Sequence, residues 1–376
     1  MKTPARKYFI IGSTLTLGVL GGLFLGSILV PKDRPQDWMK YRYTVSTTAA
    51  SAEVELGYYE QKVQAHADSA SNWASLAAAQ RKAGKRSGDR ALLDRARENA
   101  EKSLALLPHF NPAARLVQAQ LAQDRHDFYA ALDLADQILR ENPKNAQALS
   151  LKVSSNLALG RVEAAREDAD YLVQRFPGLA SLTMRALLAL EGGREREALA
   201  DFERAIRSED FGDREGSAWV RSLLGRHHLR KENLKTARFL LGEALRILPD
   251  YPLALGLLAE LEAKEGNIPS AEKLYRRAYT ILPEPSFRVD LGAALAGSGR
   301  RAEAEALWAE AEKQMRLDLL RNPYAHRGEL VHLLLNRADP ADLPEAIRLA
   351  EAEALVRKNR ETMDTLAWAY RVAETR

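Results

Sequence analysis

The feature that most constrains this chain is a repeat. Prolines close successive units at Pro108, Pro143, Pro177, Pro249 and Pro283, and the steps from 143 to 177 and from 249 to 283 are both 34 residues. Small residues recur in register between these prolines. One column holds Ala77, Ala119, Val153, Ala186, Gly225, Ala259 and Gly292. A second holds Ala96, Ala131, Ala165, Ala198, Ala237, Ala271, Ala304 and Ala346. A unit of this length cannot bury its apolar face alone, so neighbours must stack into a solenoid.

Each unit reads as two amphipathic helices. In the stretch NAQALSLKVSSNLALGRVEAAREDADYLVQRFP the first helix, helix A, is expected from about Ala146 to Leu159, with Gly160 ending it. Gly84, Gly193, Gly266 and Gly299 stand at the equivalent turn, where a left-handed cap favours glycine. Helix B follows and closes near the proline. Pro112, Pro252 and Pro285 then open the next helix A, where a missing N–H costs nothing. The small columns are expected where helices A and B cross closely and a larger side chain would push them apart.

This pattern resembles the tetratricopeptide repeat (TPR) family. The stretch WASLAAAQRKAG, with Trp73, Leu76, Ala77 and Gly84, matches the first half of that repeat. SAEKLYRRAYTILP, with Ala271, Tyr275, Ala278 and Pro283, matches the second half. EALADFERAI (Ala198, Phe202, Ala205) and AEAEALWAEA (Ala304, Trp308, Ala311) agree with it. The resemblance covers about residues 70–358 and implies an all-α, right-handed TPR solenoid of about eight helical hairpins.

The array has irregularities. The segment Lys85–Arg90 delays helix B of the first unit, and Ser208–Ser217 lengthens the fourth unit without a closing proline. The expected organisation is therefore a capping helix at 52–69, one sub-array at 70–210 and a second at 216–316. An irregular repeat and a solvating helix A (Met363, Leu366, Ala367, Tyr370) occupy 317–376. The uncovered side of that last helix is a second place where a partner helix could pack.

A different signal precedes the repeats. After a short tail at 1–7, the 23 residues from Tyr8 to Val30 carry no charge, and as a helix they would span roughly 34 Å, enough to cross a bilayer. No small-x-small cleavage site follows promptly, so the segment reads as an uncleaved transmembrane helix and not as a signal peptide. Thr14, Gly18, Gly22 and Gly26 recur every four residues, a strip of small residues on which membrane helices can pack or self-associate. A juxtamembrane linker is expected at 31–51, with Trp38, Tyr41 and Tyr43 suited to the membrane interface.

The charge supports this reading. Residues 1–42 carry seven basic and two acidic side chains, a surplus of five against a net charge of +4 for the whole chain. The remaining residues are thus one charge negative, and the basic excess flanks the apolar run. Anionic headgroups account for it better than nucleic acid does. The short N-terminal tail favours a cytoplasmic N-terminus and a body exported across a bacterial inner membrane into the periplasm.

No catalytic constellation is visible. Phosphate-binding glycine loops, HExxH and G-x-S-x-G are absent, as is cysteine, which removes disulfides, thiolate metal sites and a cysteine nucleophile. The glycines of Gly292–Gly299 fall at a packing column and a turn. His227 and His228 form the one histidine pair, and His228 occupies an aromatic column, so a packing role is expected over metal binding. No cofactor, metal or enzymatic activity is expected.

The resemblance implies a groove lined by helix A side chains and occupied by a protein partner. The repeat register places Gln120, Gln123, Ser150, Ser154, Trp219, Arg226 and Arg230 there. The fifth unit is aromatic and basic, which suits an acidic or C-terminal peptide. The Lys/Asn carboxylate clamp of chaperone-binding TPR proteins has no counterpart, since Ser150, Leu151 and Ser154 occupy those places in the third unit. Two roles are expected: a membrane-anchored scaffold for assembly of a cell-envelope complex, or a permanent subunit of a membrane complex held through the transmembrane helix and the groove.

Overall fold

The computed structural model describes residues 37–45 and 52–375. The expected transmembrane helix, 8–30, and its strip Thr14, Gly18, Gly22 and Gly26 lie outside the described residues. Among the described residues, no helix is long and apolar enough to cross a membrane. The chain divides after Lys40. Before that point the described residues form a single 3-10 turn, Asp37–Met39, with Lys40 Nζ 3.1 Å from Asp37.

Residues Tyr41–Arg376 form one compact unit. Its described residues contain α-helices and no strands. A lone helix, α1 (Ala52–Ala65), is followed by eight hairpins. These are α2 (Ala70–Ser87) with α3 (Arg90–Leu106), α4 (Pro112–Asp124) with α5 (Phe128–Glu141), α6 (Ala146–Ala158) with α7 (Val162–Arg175), and α8 (Leu179–Glu191) with α9 (Glu195–Arg207). The series continues with α10 (Arg214–Arg230) and α11 (Leu234–Ile247), α12 (Pro252–Lys264) and α13 (Ile268–Ile281), and α14 (Pro285–Gly297) and α15 (Arg301–Arg321). The last hairpin is α16 (Arg327–Arg337) with α17 (Leu343–Val356), and α18 (Arg360–Glu374) ends the array.

The two columns of small residues are the seams between helices. All eight alanines of the second column, Ala96 to Ala346, are fully buried, as are Ala77, Ala119, Val153, Ala186 and Ala259 of the first. Phe202, Tyr275 and Trp308, the aromatics of three B helices, are also buried. Trp308 shows why its neighbour must be small. A Cβ on Gly292 would stand 2.3 Å from Trp308 Nε1, which donates to the Val289 carbonyl at 3.1 Å.

The turns inside the hairpins carry one residue in the left-handed region, in every repeat. Gly88, Gly160, Gly193, Gly266 and Gly299 take this place in five of them, and His126, Glu232 and Ala338 in the other three. The expectation for Gly84 is corrected here. α2 continues past it to Ser87, and Gly88 makes the turn. Gly84 is instead buried where the two helices approach, 3.0 Å at its notional Cβ from Leu92 and Leu93. Asparagine or aspartate caps start several helices: Asp89, Asn111, Asp127, Asn145, Asp213, Asn233 and Asn359 each accept a backbone N–H from the first turn.

The array folds back on itself. The turns of the first four hairpins meet the ends of the later helices. Arg90 makes a two-pronged pair with Asp318, both bonds 2.6 Å. Asn322 Nδ2 donates to the Arg125 carbonyl at 2.6 Å, and Arg357 donates to His126 Nδ1 at 3.3 Å. The Lys358 N–H donates to the Leu159 carbonyl at 3.0 Å, and Asn359 Nδ2 to the Ala158 carbonyl at 2.7 Å. The Arg360 N–H donates to the Glu191 carboxylate. The last helix is therefore more than a solvating cap, because its start is docked against the third and fourth units.

Residues 41–45 also depart from expectation. Tyr41 is buried in the cluster formed by Ala218, Leu229, Ala237 and Leu241, with Tyr43 and Val45 packed beside it. Both ends of the Tyr41 peptide unit are held: its N–H donates to Glu243 at 2.9 Å, and Arg246 donates to its carbonyl at 3.1 Å. Arg42 Nη2 and the Tyr43 hydroxyl donate to the Glu209 carbonyl at 2.8 and 3.1 Å. Aromatic surface expected at a lipid interface is thus spent on the repeats, since a flat apolar ring with a polar tip suits either setting.

Candidate functional site

The fold-back creates a deep cavity of about 1100 Å³. The A helices of the fifth to eighth repeats and the last helix supply most of its wall: Arg226 and Arg230 from α10, Glu260 and Lys264 from α12, Asp290 from α14, Glu329 and His332 from α16, and Glu361 from α18. Ala263, Ile268, Ala293 and Ala294 present its apolar surface, and His126 enters from the α4–α5 turn. Successive A helices share one face because each hairpin repeats the same packing, so charged residues far apart in sequence converge here.

The wall carries charge of both signs, and part of it is paired. Arg230 Nη2 lies 3.3 Å from Glu361, and Arg327 and Arg357 both reach the buried Glu353. Among the described residues, Arg226, Lys264, Glu260, Asp290 and Glu329 have no ion pair. Burial pushes Asp290 up to about 7, with further repulsion from Glu260, Glu329 and Glu361. Its side chain is exposed to a water-sized probe, yet protein closely surrounds it. Both hold because the surface it presents is the cavity wall. Burial likewise raises Glu260 and lowers His126, His332 and Arg226. Glu361 is the exception. Burial works to raise it, but Arg230 and Arg226 hold it below the ordinary carboxylate value.

Of the seven residues expected in the groove, Arg226 and Arg230 line this cavity. The others stand elsewhere. Gln123 Nε2 donates to Ser154 Oγ at 2.7 Å and to Ser155 Oγ at 2.8 Å, joining α4 to α6. The Ser150 hydroxyl donates to the Ala146 carbonyl of its own helix at 2.9 Å. Gln120 and Trp219 are half-buried and outside the cavity wall. The carboxylates Glu260, Asp290 and Glu329 are not among the residues that the sequence reading places in the groove. One signal could have found them: all three lie on A helices, as the groove register requires.

Histidine serves packing and local bonding. His227 Nε2 lies 3.0 Å from Glu195, which Lys231 also reaches at 2.8 Å, linking α9 to the end of α10. Among the described residues, no group of three or more His, Cys, Asp or Glu is arranged to hold a metal ion.

A model of the tetratricopeptide repeat matches residues 116–180, 183–252 and 222–284. No curated protein sequence matches the chain. Among solved structures, the fold is similar to a tetratricopeptide repeat protein from Parabacteroides merdae, 17% identical over 68% of this chain and 93% of that one, with a TM-score of 0.43. A thermophilic TPR protein of Thermus thermophilus is 26% identical over 57% of this chain and 96% of that one, at a TM-score of 0.33. The pilF protein of Pseudomonas aeruginosa is 17% identical over 60% of this chain and 97% of that one, at 0.42. The matched segments, the repeated hairpins and the buried alanine seams together identify residues 116–180 and 183–284 as tetratricopeptide repeats.

Proposed function

We propose that this protein is a membrane-anchored TPR adaptor whose interior cavity receives a polypeptide segment of a protein partner during assembly of a cell-envelope complex. The observation that carries the reading is the convergence of charged A-helix residues, several without an ion pair among the described residues, on one cavity of about 1100 Å³. Charges left unpaired in a confined site cost stability, and a ligand that pairs with them recovers that cost. The anchor and the location rest on the uncharged run Tyr8–Val30 and its basic flanks. The role is read as binding because charged A-helix side chains of both signs converge on one open cavity, as a polypeptide segment would need.

Photo-crosslinking in native membranes tests both parts. Full-length protein carrying a photoreactive residue at Ser286 or Ala294, in the cavity wall, is expected to capture one discrete polypeptide. The same group at the exposed positions Asp94 or Glu163 is expected to capture none. Equal capture from both sets, or none from the cavity positions, overturns the binding role. Extraction of the protein by alkaline carbonate overturns the anchor.

A further inference from the structure

Asp290 has neither a hydrogen bond nor an ion pair among the described residues, although protein closely surrounds it and its carboxylate opens into the cavity. Glu260 and Glu329, on the A helices before and after it, share this condition. The three carboxylates therefore form a rank across α12, α14 and α16, close enough for both neighbours to disfavour ionisation of Asp290. Glu260 also feels Lys264, Arg230 and Arg226, but the groups acting on Asp290 are all carboxylates, an arrangement that an added cation relieves.

We infer that the cavity takes its partner segment by a lysine or arginine side chain seated against Asp290, Glu260 and Glu329. The inference rests on the reading that the cavity receives a polypeptide. Ala293 and Ala294, on the same helix as Asp290, offer apolar surface for the methylene stem while the charged head meets the carboxylates. Arg226, also without an ion pair, faces the same space and suits a carbonyl or carboxylate of the same segment. Arg230 is already committed to Glu361, which removes part of the positive charge that the sequence of the fifth unit advertises.

The test uses full-length protein in mild detergent at pH 8, with hexalysine and hexaglutamate peptides as probes and binding read by calorimetry. Hexalysine is expected to bind, and the Asp290→Asn/Glu329→Gln double variant to weaken it at least tenfold. Asp94→Asn/Glu163→Gln, which removes two exposed acids outside the cavity, is expected to leave affinity unchanged. Thermal melts of each variant separate lost binding from lost fold, and Glu260→Gln, measured alone, gives a second and milder reading. Unchanged hexalysine affinity in the cavity variants overturns the inference, as does an equal loss in the outer variant. Binding of hexaglutamate in place of hexalysine, abolished by Arg226→Ala, also overturns it while leaving the cavity as a peptide site. Failure of the cavity crosslinks would instead remove the parent reading.

Discussion

Arg221 Nη1 lies 2.7 Å from Glu209 Oε2, and both side chains are wholly shielded from solvent. The second guanidinium nitrogen reaches the other carboxylate oxygen at 3.1 Å, and the ring of Tyr41 lies 5.6 Å from the guanidinium carbon. Glu209 belongs to the segment 208–217 that lengthens the fourth repeat, so this pair pins the irregular connection to α10. Removing Arg221 leaves the shielded Glu209 carboxylate with the half-exposed Arg42, 3.9 Å away, as its remaining cation. Arg221→Met is expected to destabilise the chain by about 3–5 kcal/mol in urea denaturation. The double variant Arg221→Met/Glu209→Leu should recover most of that loss, because no charge is left behind.

Gly160 and Gly193 offer a matched pair. Their φ values are 74° and 73°, yet a Cβ at Gly160 would lie 2.4 Å from the Lys358 carbonyl carbon, whereas Gly193 has nothing within 4 Å. Gly193→Ala is expected to cost only the left-handed backbone penalty, roughly 1–2 kcal/mol. Gly160→Ala should cost roughly 1–3 kcal/mol more, since overpacking against backbone has no cheap relief. Faster hydrogen exchange at Lys358 in Gly160→Ala alone would show that the surplus comes from the docked start of α18. Equal losses at the two sites would mean that the docking contributes nothing.

The carboxyl of Asp290 makes stability depend on pH in the direction opposite to most acids. Its folded value, about 7, stands above the ordinary 3.8, so the folded chain holds this proton more tightly than the unfolded chain does. The stabilisation by proton uptake is present at low pH and fades as pH rises toward 7. The charges acting on it are Glu260 on α12, Glu329 on α16 and Glu361 on α18, while Arg226 and Arg230 on α10, Lys264 on α12 and His332 on α16 stand elsewhere in the wall. Asp290→Asn is therefore expected to raise the melting temperature at pH 8 and to leave it nearly unchanged below pH 4. A larger gain at low pH than at high pH would contradict this assignment.

Tyr41 tests the docked segment. Its ring is buried and its peptide unit is held at both ends by Glu243 and Arg246. Tyr41→Ala is expected to destabilise the unit by about 3 kcal/mol, by analogy with other buried aromatic truncations. Cleavage by a protease at the basic residue Arg42 should become faster in the same variant. Unaltered cleavage would indicate that the segment is free in solution.

The repeats were legible because packing demands are periodic. Alanine must recur wherever two helices cross, and so Ala96, Ala131 and Ala165 announce their role by spacing alone. The fold-back has no such signature. Gly160 looks like any turn glycine, and nothing in the sequence marks it as the one that Lys358 and Asn359 pack against. Arg90 and Asp318 read as ordinary surface charges, since their meeting depends on the accumulated twist of seven hairpins. The turns at His126 and Glu232 escaped notice for a related reason: the left-handed position is set by geometry, and residues other than glycine fill it there. In the cavity, Arg226 and Arg230 were legible from the register, but the state of Glu260, Asp290 and Glu329 depends on the absence of a counter-ion, which only three-dimensional proximity reveals.

The docking of residues 41–45 decides where the repeat array carries mechanical load. A solenoid gripped at its first helix can unzip one hairpin at a time under tension. Here, traction on the polypeptide before Tyr41 arrives at α10 and α11, in the middle of the stack, through Glu243, Arg246 and the Glu209 carbonyl. The first point to yield is then a short strap held by the buried Tyr41 ring and not a terminal repeat. Hairpins on either side of that attachment remain assembled until the strap has torn away.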